Sequence, residues 1–267
     1  AMAQTFSKDR LAPMLRDTTK LRGKVKNPRT RDGENTTLHK KFPGGHITVV
    51  GANSSSGLRS RPIRILLCDE VDSYPPSAGT EGDPINLAKK RTTTYYNRKV
   101  ILVSTPTIKG LSRIEKAYEE SDQRIYLVPC PECEHKQQLQ WKNVIWDEGK
   151  PDTATLVCDS CGSVIPESKK QWMLINGEWQ STKESKKIGF HISELYSPFR
   201  TIKEIVSDFL QAKRTPETLQ TFINTTLGET YEDQGESIKA DYLLEMCENY
   251  NHEAVPNDIL FLTAGVD

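Results

Sequence analysis

Two carboxylates and four thiols are the residues of this chain whose types and spacing could do chemistry. Asp69 and Glu70 stand side by side after Ile63-Arg64-Ile65-Leu66-Leu67-Cys68, and Cys130-Pro131-Glu132-Cys133 and Cys158-Asp159-Ser160-Cys161 form two close pairs separated by 24 residues. An apolar strand that ends in Asp-Glu is the pattern of a Walker B motif. There the Asp holds Mg²⁺, usually through water, and the Glu aligns and deprotonates the water that attacks a γ-phosphate. Phosphoryl transfer needs both a metal for developing charge and an oriented nucleophile. A core strand followed by a solvated acidic turn would leave the same string, so its neighbours must decide. The cysteine pairs have the spacing of a zinc ribbon, in which two tight turns present four thiolates in a tetrahedron and close a small β module with little core of its own. Four Cys ligands leave no open coordination position, so the expected Zn²⁺ is structural; a reduced thiol set or another metal is the alternative. His135, beside the first pair, is expected at the surface or behind the ligands.

The acids need the carboxyl end of a parallel strand, where open α/β sheets bind ligands. The aliphatic run before them suits a fully buried parallel strand. Asp83-Pro84 is a good N-cap and N1 pair for a helix running to about Asn97. A second apolar strand, Lys99–Val103, then ends in Ser104-Thr105-Pro106-Thr107. Strand, helix and strand in this order predict a right-handed βαβ unit. It would set Asp69-Glu70 and Ser104-Thr105 on one sheet edge. Arg59 and Arg61 before the acidic strand, and Arg91 after it, are candidates for an arginine finger or sensor; surface arginines would look the same.

Elsewhere the pattern is coarser. Residues 7–18 read as a helix capped by Ser7, with Leu11, Met14 and Leu15 on one face and a kink at Pro13. Residues 16–41 hold nine Lys/Arg against three acids among Gly, Pro, Asn and Thr, which predicts a loop, solvated or laid on a nucleic-acid backbone. Leu38–Phe42 and His46–Val50 flank Pro43-Gly44-Gly45 as a hairpin. Leu111–Glu120 reads as a helix and Arg124–Val128 as a strand. Short β segments are expected at Gln138–Trp141, Val144–Trp146 and Thr155–Val157. A helix is expected at Glu167–Ile175 and a strand at Ile188–Ile192. Thr201-Ile202-Lys203-Glu204 is a capping box for a helix to about Lys213, and Thr215-Pro216 opens another that ends at Gly228. Ser237 would cap a last amphipathic helix. Asn249–Asp258 reads as a linker, and Ile259–Asp267 as a strand stopped at its acid. The Ala1-Met2-Ala3 start and that strand both suggest a fragment.

Composition bounds the reading. Lys+Arg and Asp+Glu are 36 each, so no global field recruits nucleic acid, and 27% charged residues is ordinary for a folded chain. No apolar run approaches the ~20 residues that span a bilayer, and the N-terminus lacks the apolar segment of a signal peptide. Two close Cys pairs plus single Cys68 and Cys247, in a chain expected to be non-secreted, favour metal over disulfides and a cytosolic setting.

The order of these parts resembles the large terminase subunit of tailed phages, the lambda-type packaging motor family. The likeness covers almost the whole chain. It is carried by Leu67-Cys68-Asp69-Glu70-Val71-Asp72, Ser104-Thr105-Pro106-Thr107, the cysteine pairs and Phe222-Ile223-Asn224-Thr225-Thr226-Leu227-Gly228-Glu229. Phe6-Ser7-Lys8-Asp9-Arg10 and Leu58-Arg59-Ser60-Arg61 also look like that family's ATPase domain. The resemblance implies an α/β fold: the carboxyl-terminal part of a parallel-sheet, P-loop-type ATPase (1–128), a four-Cys zinc ribbon (129–166), an α-rich linker (167–257) and the first strand of an RNase H-like nuclease (258–267). It implies Asp69 for Mg²⁺, Glu70 as general base, Ser104 and Thr105 as the motif coupling the γ-phosphate to DNA-gripping elements, and Asp267 as the first carboxylate of a two-metal nuclease. Implied cofactors are ATP, Mg²⁺ and Zn²⁺. Implied partners are double-stranded DNA, a terminase small subunit, the procapsid portal and other copies in a ring, with no membrane, in the cytoplasm of a bacterial host. One departure stands out: no G-x-x-x-x-G-K-[ST] phosphate loop occurs. Gly51-Ala52-Asn53-Ser54-Ser55-Ser56-Gly57 lacks the Lys and lies too close to the acidic strand, so the loop is expected before residue 1. Alone, this chain would hydrolyse nothing. A helicase-like or repair ATPase, or a non-hydrolysing zinc-ribbon module that binds nucleic acid, would share several of these signals.

Overall fold

The computed structural model describes residues 2–25 and 35–232. The expected Ser237 helix, the 249–258 linker and the strand ending in Asp267 lie outside them, as do Cys247 and part of the basic 16–41 segment. The chain opens with α1 (Met2–Phe6), a π-helical turn over Ser7–Leu11, and α2 (Ala12–Asp17). Helix therefore starts before the expected cap. Ser7 lies inside it, buried, with its hydroxyl donated to the Thr37 carbonyl. Proline has no N–H and its ring presses on the carbonyl four residues back; the wide turn just before Pro13 takes up that misfit. Of the expected inward face Leu11 is buried, while Met14 is 49% exposed.

β1 (His39–Phe42) and β2 (Gly45–Thr48) form the expected hairpin about Pro43-Gly44. α3 (Ser55–Arg59) follows, with Ser54 Oγ accepting from Gly57 N at 3.3 Å. β3 (Ile65–Asp69), α4 (Pro84–Lys90) and β4 (Lys99–Val103) make the strand–helix–strand unit, its two strands parallel and in register from Ile65↔Lys99 to Asp69↔Val103. Asp83 caps α4 through Oδ2 to Asn86 N at 2.8 Å. The helix stops seven residues short of Asn97. The cause is local: Thr92 and Thr93 turn their hydroxyls back onto the Lys89 and Lys90 carbonyls, and three β-branched residues in a row disfavour another turn.

The two-stranded sheet also corrects the expectation of full burial. Leu66, Cys68 and Leu102 face a small core with Val71, Tyr74 and Ile85. The alternate residues face outward, Leu67 62% and Val103 54% exposed. Among the described residues only one face of this sheet carries a helical cover. That cover is α4 together with Ile114 of α5 (Arg113–Glu119).

β5 (Ile125–Pro129) and β6 (Lys136–Gln138) pair antiparallel, as do β7 (Val144–Asp147), β8 (Lys150–Val157) and β9 (Val164–Ile165) in a second sheet. α6 (Glu167–Ile175) spans its expected residues and leads into β10 (Glu178–Gln180), which has no clear sequence signal and joins the other edge of β5. Residues 188–192 are extended but form a single bridge, Phe190 to Arg124, rather than a strand. α7 (Ile202–Ala212) carries the full capping box. α8 (Pro216–Phe222) runs into a π-helical turn that ends at Gly228, φ +67°, a left-handed position that favours glycine. The main core binds all these pieces: Val128, Leu139, Val144, Leu156 and Ile165 pack with Met173, Leu195, Ile205, Val206 and Phe222. The segments 129–166 and 167–227 thus share one apolar interior.

Candidate functional site

The parallel register decides what meets at the carboxyl edge of β3 and β4. Asp69 pairs with Val103, so Glu70 and Ser104 are the first residues beyond the ladder on neighbouring strands. Glu70 adopts φ +53°, ψ +54°. A non-glycine residue in the left-handed region costs of order 1 kcal/mol and persists where the surroundings hold it, often at functional positions. Ser104 Oγ lies 3.0 Å from the Thr105 carbonyl and 3.5 Å from Glu70 Oε2, the latter at the outer limit of a hydrogen bond; its single hydrogen can serve one at a time. The same oxygen accepts from Asp72 N at 3.2 Å. Asp69 and Glu70 are exposed. An exposed carboxylate pair with a hydroxyl beside it is a set of hard oxygen donors, which fits a largely hydrated Mg²⁺.

Asp72 does more than sequence reading alone assigns it. Its Oδ1 accepts from Ile114 N at 2.8 Å and its Oδ2 from Thr107 Oγ1 at 3.0 Å. It thereby satisfies a free N–H in the first turn of α5 and fixes the loop after β4. The available signal was its place three residues beyond Asp69.

Each of the three arginines has a partner other than the two acids. Arg59 Nε pairs with Glu81 Oε2 at 2.7 Å, and Arg91 donates to the Arg59 carbonyl at 3.4 Å. Arg61 lies 3.2 Å from His39 Nδ1. Burial, then the nearby Arg61, holds His39 below its ordinary pKa.

Cys130, Cys133, Cys158 and Cys161 bring their sulfurs together within 4.8 Å of one another. Two near-identical turns build the cluster. In each, the residue four after the leading cysteine donates to its carbonyl at 3.0 Å, Glu134 to Cys130 and Gly162 to Cys158, and each is left-handed. Cys130 N then bonds the His135 carbonyl at 2.9 Å, and Cys158 N the Ser163 carbonyl at 3.0 Å. Cys130–Cys161 and Cys133–Cys158 are 3.9 and 3.7 Å apart. A metal at about 2.3 Å from four tetrahedral thiolates requires sulfurs about 3.8 Å apart, so the set fits such an ion. Hydrogen bonds from Ser163 bring Cys161 down to about 6. For Cys133, the main-chain bond near His135 lowers the pKa but is outweighed by bonds to Cys161, burial and the other thiols, which push it up to about 12. His135 stays outside the ligand set, 3.4 Å from Asp159.

Comparison with known proteins bears on both groups. Residues 1–179 match the family described as phage terminase large subunit gpA, ATPase domain. The chain belongs to the phage terminase large subunit family. Residues 187–267 match the terminase large subunit gpA endonuclease domain. The chain is 32% identical over 292 residues to the terminase large subunit of Enterobacteria phage P21, covering 99% of this chain and 45% of that protein. It is 28% identical over 294 residues to the terminase large subunit of Escherichia phage lambda, with the same coverage. It thus spans less than half the length of these terminase relatives. No solved structure matches it. Among the described residues no helix is long and apolar enough to cross a membrane.

Proposed function

We propose that this chain carries the acidic half of an ATP site in a DNA-packaging motor, together with a structural zinc ribbon. The observation that carries the reading is the meeting of left-handed Glu70 and Ser104 at adjacent ends of two parallel strands, directly after Asp69. Asp69 would hold Mg²⁺ through water, and Glu70 would align the attacking water and take its proton. Ser104 and Thr105 would report the γ-phosphate state, since the Ser104 hydroxyl can turn between Glu70 and its own loop. Bound Mg²⁺ and ATP would supply the charge compensation and the scissile phosphoanhydride. Arg59, Arg61 or Arg91 would act as a finger or sensor only after leaving their present partners. The parallel pair would belong to a P-loop-type sheet, with residues 1–128 in the ATPase, 129–166 as the ribbon, 167–257 as linker and 258–267 opening the nuclease, where Asp267 would be a metal ligand.

In the full protein, hydrolysis would drive double-stranded DNA into a procapsid through its portal, with a small subunit and a ring of large subunits, in the host cytoplasm; the nuclease would cut the concatemer. The family match and the two phage relatives support this reading. The test is Glu70→Gln in the full-length protein. Nucleotide binding should persist while steady-state hydrolysis falls about 10²–10⁴-fold, the range for loss of a general base. Hydrolysis at the wild-type rate would remove Glu70 from that role. Metal analysis should return one zinc per chain, held by Cys130, Cys133, Cys158 and Cys161.

A further inference from the structure

The loop after β4 is fastened on two sides. Toward the acidic edge, Thr107 Oγ1 donates to Asp72, whose own N–H bonds Ser104 Oγ. Toward the far end of the described chain, the Thr107 carbonyl accepts twice, from Asn224 Nδ2 at 2.8 Å and from Tyr231 N at 2.9 Å. Asn224 is buried, and its amide nitrogen also donates to the Glu229 carbonyl at 2.8 Å. Both amide hydrogens therefore join two backbones that are 117 residues apart in sequence at the Thr107 contact. Lys109 N donates back to the Tyr231 carbonyl at 3.0 Å, closing a parallel bridge between Ile108 and Tyr231. Glu115 of α5 repeats the tie: Oε2 accepts from Gly110 N at 2.9 Å and Oε1 from Thr230 Oγ1 at 2.7 Å. The N-terminus of α5 is the one that Asp72 holds.

We propose that Asp72 and Asn224 are positioning residues of a hydrogen-bonded relay that carries the state of the Asp69-Glu70 edge, through Thr107, to the chain at Tyr231. The proposal rests on reading that edge as a nucleotide site. The geometry favours a concerted response over a gradual one. Thr107 has both carbonyl lone pairs engaged and Asn224 both amide hydrogens, so a shift of the 104–107 loop by about 1 Å would stretch these 2.8–3.0 Å bonds beyond the limit of a hydrogen bond. Such a loop either keeps its partners and drags residues 224–231 with it, or breaks from them as a unit. Residues 187–267, which include this segment, match the endonuclease-domain family, so the relay would lead from the ATPase side of the chain to the nuclease side.

Amide hydrogen exchange in the full-length protein tests this, with Mg²⁺ and a non-hydrolysable ATP analogue as the probe. In the wild type, exchange of amides in 66–72, 104–111 and 229–231 should slow together on nucleotide addition, by about tenfold or more. Asn224→Asp keeps the shape of the side chain but removes both donors. It should retain the change at 66–72 and 104–107 and reduce that at 229–231 to less than about twofold. Thr230→Val, which cuts the Glu115 tie at a half-buried threonine hydroxyl, should weaken the 229–231 response in the same direction and serves if Asn224→Asp does not fold. A wild-type 229–231 segment indifferent to nucleotide, or one that responds unchanged in both variants, overturns the relay. If 66–72 and 104–107 themselves ignore the nucleotide, the nucleotide-site reading fails first, and the relay with it.

Discussion

Tyr196 shows how single side chains hold this molecule together. Its hydroxyl donates to the Tyr126 carbonyl at 2.7 Å and accepts from Leu139 N at 2.8 Å, and burial pushes its pKa up to about 12. Tyr196→Phe should leave the buried Leu139 N–H without an acceptor. We expect a loss of about 1–3 kcal/mol in urea denaturation, with no change in metal content. Nothing in the sequence marks Tyr196 out, because its partners lie 57 and 70 residues away. The same limit hides Asn224. The Asp69-Glu70 pair and the two close cysteine pairs stand out in the sequence because their members are neighbours in the chain. Asp72 and Asn224 act on partners that only the fold brings near.

At the level of elements, what was legible followed from local signals. Asp83-Pro84 begins α4, and Thr201 and Glu204 begin α7, because caps act within one turn. The end of α4 was misjudged because Thr hydroxyls compete with helix bonds in a way that an apolar pattern does not show. β10 was missed because Glu178-Trp179-Gln180 is too short for its alternation to register, and it pairs with β5 only through tertiary structure. The capping box makes a pH prediction. Main-chain and side-chain hydrogen bonds from Thr201, then the nearby Arg200 and Lys170, outweigh desolvation and hold Glu204 below its ordinary 4.5. A carboxylate with a lowered folded pKa stabilises above its unfolded value, and that contribution disappears as pH falls through the folded value. The stability from Glu204 should therefore be full above about pH 4.5 and lost in more acid solution. Glu204→Ala should flatten that part of the stability–pH curve, and Thr201→Ala should cost about 1 kcal/mol at neutral pH, both by denaturant titration.

For the whole molecule, the decisive fact is that the thiol cluster and the helices share a core. Buried Cys130 and Cys158 belong to the same apolar cluster as Ile205, Val206 and Phe222. Stripping a metal from the four thiols should not unravel a detached module. It should lower the melting temperature of the main body and loosen α7 and α8, seen as a single shifted transition in calorimetry with and without a strong chelator. A small separate transition, with the main one unmoved, would refute the shared core. The bare face of the β3–β4 sheet has a thermodynamic meaning. Unfolding raises heat capacity in proportion to the apolar area it newly wets, and Leu67, Val103, Ile65 and Ile101 are half wet already. This chain should have a flatter stability curve and a smaller denaturant slope than its length implies. Any surface that later settles on those strands would announce itself calorimetrically, through a negative heat-capacity change on association.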